Sequence, residues 1–68
     1  MSNLNQYYYE VRNSKSRWGP FLTELTADRQ LEDLQCNAAL SRPFAIYKIK
    51  SVNNLVIGTK ENGRWLLN

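Results

Sequence analysis

The sequence predicts a small α+β domain in which an antiparallel sheet is covered on one face by a single central helix, in the order ββαβββ with a short last strand. Three observations carry that reading. An aromatic and β-branched run opens the chain at Tyr7-Tyr8-Tyr9-Glu10-Val11-Arg12, one apolar stripe at helical spacing follows, and Asn62-Gly63 then separates two extended runs. Residues 1–6 are polar and are expected to form a flexible tail, with 7–68 as the one domain.

The run from Tyr7 to Arg12 has the composition of a strand. Asn13-Ser14-Lys15-Ser16 is turn chemistry, and Arg17-Trp18-Gly19-Pro20-Phe21-Leu22-Thr23 is a second extended run, confined to a sheet edge by Pro20. If the four polar residues close a hairpin, Arg12 faces Arg17, Val11 faces Trp18, Tyr8 faces Phe21 and Tyr7 faces Leu22. The inner face is then Tyr7, Tyr9, Val11, Trp18 and Leu22.

A helix is predicted over residues 27–40. Thr26 is the expected N-cap, Asp28 suits the positive end of the helix dipole, and Pro43 halts the helical run. Ala27, Leu31, Leu34 and Ala38 share one stripe within about 60° around the axis, and Cys36 and Leu40 fall on the opposite, outer side.

Phe44 to Ser51 reads as a strand, Asn53-Asn54 as a turn, Leu55 to Glu61 as a strand, and Arg64 to Leu67 as the short last one. Two-residue loops at both turns place Tyr47, Ile49, Val56, Trp65 and Leu67 on one face with Ser51, Gly58 and Lys60. Lys48, Lys50, Thr59, Glu61 and Arg64 then lie on the other.

Size and composition bound the function. The chain has 68 residues, 43% hydrophobic and 12% aromatic, enough core-forming side chains to fold. A core this small rarely supplies more than about 3–5 kcal/mol, and such domains commonly add disulfides, a metal, oligomerisation or a permanent partner. One cysteine and no histidine remove the first two routes, so no metal and no cofactor are expected, and association is. The polar N-terminus has no signal-peptide pattern and no apolar run is long enough to span a bilayer. No membrane is expected as partner, and the expected compartment is the cytoplasm, where a lone thiol stays reduced.

Catalytic parts are missing. General acid–base work draws most often on histidine, and Cys36 has none to activate it. Asp28 and Glu32, one helical turn apart, read as a solvated helix face. Gly19, Gly58 and Gly63 are isolated and form no phosphate-binding loop. The chain is therefore expected not to be an enzyme.

Charge is the most informative feature. Residues 24–34 hold four acids and one base while the rest holds eight bases and two acids, giving an acidic helix and a basic remainder within an overall charge of +3. The expected binding surface is the outer sheet face and its hairpin tip: Tyr8, Arg12, Lys15, Arg17, Phe21, Lys48, Lys50 and Arg64. Tyrosine and arginine are typical of interface hot spots. The expected function is docking on a larger protein or assembly, as accessory subunit or inhibitor, in the manner of a small phage or mobile-element protein. The alternative is nucleic-acid binding, since aromatic rings interleaved with cations grip single strands. A homodimer through the outer side of the helix, at Cys36 and Leu40, is a further expectation.

Overall fold

A computed structural model describes residues 6–67, and most of the proposed tail, residues 1–5, lies outside them. The elements are β1 (Tyr7–Arg12), β2 (Arg17–Phe21), α1 (Glu24–Gln35), β3 (Ala45–Lys50), β4 (Val56–Glu61) and β5 (Arg64–Leu67). All strand pairings are antiparallel and the sheet order is β2-β1-β3-β4-β5. The fold class and element order are those predicted. Gln6, the last residue of the proposed tail, accepts a hydrogen bond through its carbonyl from the Ser51 N–H at 2.9 Å.

The helix packs on β1, β2 and β3. Beneath it Val11 and Ile46, ladder partners, are buried together with Ala27, Leu34 and Phe44, and Tyr9, Trp18, Phe21, Leu31, Leu40 and Trp65 close around them. Tilted ring pairs join β1 to β5 through Tyr9 and Trp65, and β2 to the loop before β3 through Trp18 and Phe44.

The helix begins three residues earlier than predicted and ends five earlier. Thr23, extended at φ −129°, is the N-cap, and its Oγ1 accepts from the Thr26 N–H at 3.2 Å. Thr26, the predicted cap, therefore sits inside the first turn. At the other end the Asn37 N–H bonds back to the Leu34 carbonyl and residues 37–40 form a separate turn. Ala38 is consequently exposed rather than on the apolar stripe. Leu40 leaves the outer side of the helix and packs against the core, so the predicted Cys36–Leu40 patch does not form, although Cys36 is exposed.

Two bulges account for the remaining differences. In β2 the ladder passes from Val11 opposite Trp18 to Tyr9 opposite Phe21, three residues matched against two. The extra residue falls at Gly19-Pro20. Gly19 has φ +143°, and a Cβ there would lie 3.0 Å from the Tyr9 carbonyl oxygen. Phe21 thereby turns from the predicted outer face to the core side, and Leu22 passes beyond the strand with 66% exposure.

Between β3 and β4 the loop is longer than the predicted two residues. Lys50 and Leu55 close it through a 2.9 Å N–H to carbonyl bond, and Asn54 occupies the left-handed region at φ 58°. Ile49 then faces Val56, and a bulge at Ile57 brings Lys48 opposite Gly58 and Tyr47 opposite Thr59. That one-residue slip exchanges the faces of β3 relative to β4. Ile46 and Lys48 share the helix side with Tyr9, Gly58, Lys60 and Trp65, while Tyr47 and Ile49 move to the opposite face. The Asn62-Gly63 turn forms as predicted, both residues at positive φ, with Lys60 opposite Trp65 and Glu61 opposite Arg64.

Candidate functional site

The sheet face away from the helix is the surface on which sequence and geometry converge. Strand alternation and register arrange it in transverse rows. Tyr8, Ile49 and Val56 form the first, Glu10, Tyr47, Thr59 and Leu66 the second, and Arg12 with Arg17 and Ala45 the third, while Glu61 and Arg64 continue the face on β4 and β5. The face grades from apolar at the β3–β4 loop to charged at the hairpin tips.

The aromatic residues on this face are held in place. The Tyr8 hydroxyl donates to Asn54 Oδ1 at 3.1 Å, spanning from β1 to the β3–β4 loop, and Ile49, the ladder partner of Tyr8, is 1% exposed. Arg12 donates through Nε and Nη2 to Glu10 Oε1 at 3.0 and 2.8 Å, and its guanidinium lies 4.3 Å from the centre of the Tyr47 ring. Arg12 stands opposite Arg17, as predicted, but its charge is met by Glu10.

The predicted binding residues are divided by the observed register. Tyr8, Arg12, Arg17 and Arg64 occupy the open face, and Lys15 sits exposed in the β1–β2 turn, which Asn13 organises by accepting from the Lys15 and Ser16 N–H groups. Phe21 belongs to the core side. Lys48 and Lys50 lie on the helix side of β3, opposite Tyr9 and Tyr7, and Lys48 Nζ stands 4.6 Å from the centre of the Tyr7 ring. The predicted continuous stripe of cations is thus broken. Tyr47, Ile49, Thr59 and Leu66 were not in the predicted set. The sequence signal for them was a glycine inside a strand pattern, Gly58, which marks a bulge or a close approach. A Cβ on Gly58 would meet Leu67 Cδ2 at 3.2 Å.

A second polar cluster lies on the helix side. Lys60 Nζ contacts Glu24 Oε2 at 3.0 Å and Asp28 Oδ1 at 3.2 Å, and the Trp65 Nε1–H donates to Glu24 Oε2 at 3.3 Å. The hydrogen bond from Lys60 lowers the Glu24 carboxyl below its ordinary range, and the same bond raises the Lys60 ammonium. Asp28 is therefore a partner of Lys60 rather than a purely solvated helix charge. The cluster fastens the first turns of α1 to β4 and β5. Beside it a groove of about 720 Å³ runs along the helix flank, its lining including Leu25, Leu31, Glu32, Arg42 and Phe44.

The fold and this surface define a two-layer α+β protein with one sheet face covered by the helix and the other left open among the described residues. No protein-family model matches the sequence, and neither a curated protein nor a solved structure matches it. Among the described residues no helix is long and apolar enough to cross a membrane.

Proposed function

We propose that the protein acts by contact, docking the open face of its sheet on a larger protein as an accessory subunit or inhibitor. The observation that carries this reading is the arrangement of Tyr8, Tyr47, Thr59 and Leu66 on a sheet face away from the only helix of the described residues. Rings fixed by Asn54 and by Arg12 present area at little entropic cost, which is what an interface core requires. Arg17, Arg64 and Lys15 border the charged end, so the fitting partner presents an apolar patch with an acidic margin.

The arrangement favours protein over nucleic acid. Lys48 and Lys50 are on the other side of the sheet, and Arg12 is paired with Glu10, leaving few cations on this face to track a phosphate backbone. The test is a tagged copy purified from its native cell at low salt beside Tyr47→Ala and Thr59→Lys. A stoichiometric protein retained by the parent and lost from both variants supports the reading. A protein retained equally by all three, or bound nucleic acid that salt releases, overturns it.

A further inference from the structure

The two edges of the sheet are unequal. At one edge, β2 carries Pro20, which has no N–H to offer, and the bulge at Gly19; both protect an edge against further pairing. At the other edge, β5 is Arg64-Trp65-Leu66-Leu67, with no strand beyond it among the described residues. Leu66 is 53% exposed and Leu67 78% exposed. Its one charge, Arg64, stands at the turn end, so no central charge shields this edge, and its four-residue length limits the ladder it can add.

We infer that β5 pairs antiparallel with β5 of a second copy, joining two sheets across a two-fold axis at Leu66. In that register Leu66 faces Leu66 and Trp65 faces Leu67 of the other copy. The two Arg64 side chains fall about 14 Å apart along the strand direction, four residues at about 3.4 Å each, beyond the range at which exposed like charges repel strongly. Every facing pair among Trp65, Leu66 and Leu67 is apolar, so the edge is self-complementary, the requirement of an isologous contact. The β2 edge has no such register, because its centre holds Gly19 and Pro20. A ladder of so few residues is at the small end of interfaces, and the dimer is correspondingly weak.

Sedimentation equilibrium of the purified protein from about 10 µM to about 1 mM tests this by mass action. The average mass is expected to rise from 8.0 kDa toward twice that value. Leu66→Lys sets two ammonium groups opposite each other and is expected to weaken dimerisation by about tenfold or more, whereas Leu22→Lys, an exposed position outside the β5 ladder, leaves it unchanged. A parent that stays monomeric throughout, or a dimer indifferent to Leu66→Lys, overturns the inference. In a Cys36→Ser background, Leu66→Cys is expected to oxidise to a disulfide dimer faster than Leu22→Cys, because facing residues at an axial pair bring their Cβ atoms within about 5 Å. Equal oxidation rates also overturn it.

Discussion

Lys60 ties helix to sheet through Glu24 and Asp28, and its effect has a defined pH dependence. The Glu24 carboxyl is lowered from an ordinary value of about 4.5, so its contribution to stability is complete above that value and is lost as pH falls through the lowered one. Lys60 is raised from about 10.5; its contribution is complete below that value and is lost as pH rises through the raised one. Lys60→Gln removes the Lys60 limb and the largest cause of the Glu24 limb, while the Trp65 N–H bond to Glu24 remains. The gap in urea midpoint between parent and variant is expected to be widest near neutral pH and to narrow in acid. Because Glu24 and Asp28 keep side-chain exposures of 41% and 38%, solvent screening keeps the effect modest. A gap that stays constant down to strongly acid pH would show that the ion pairs add nothing. This cluster was not legible from spacing, since it joins residues 24 and 60 through tertiary packing.

At the scale of elements, the strand and helix types were readable because hydrophobic period and turn chemistry are local properties. The register was not. Both slips involve a glycine within an extended run, Gly19 in β2 itself and Gly58 in β4, the ladder partner of β3, and each lies at or beside a bulge that alternation alone cannot see. One inserted residue sent Phe21 inward, and another sent Tyr47 and Ile49 outward, taking Phe21, Lys48 and Lys50 off the candidate surface. The helix start shows the same limit. Thr23 and Thr26 are equally good caps by composition, and tertiary placement chose Thr23. Thr23→Ala is expected to cost about 1 kcal/mol through the lost side-chain bond to the Thr26 N–H, while Thr26→Ala retains that bond and costs less. Urea denaturation of both variants checks the order, and the reverse order would place the cap where the sequence alone put it.

At the scale of the whole molecule, the central strand β3 serves two faces that differ in kind. Ile46 belongs to the cluster under the helix, whereas Ile49, equally buried at 1% exposure, stands outside it on the open face beside Tyr8 and Val56. Cores of this size rarely supply more than about 3–5 kcal/mol, so deep truncation at either site risks unfolding and the informative change is the removal of a single methyl group. Ile46→Val and Ile49→Val are each expected to cost about 0.5–1.5 kcal/mol. Their partners are different side chains on opposite faces, so the double variant is expected to lose the sum to within about 0.5 kcal/mol. Equilibrium unfolding in urea measures all three. A coupling well above that margin would mean that β3 transmits packing between its faces, and that a partner docked on Tyr8 and Tyr47 would also tighten the helix on its core. Additivity instead leaves the helix side intact whatever occupies the open face, which is the behaviour expected of a scaffold folded before it docks.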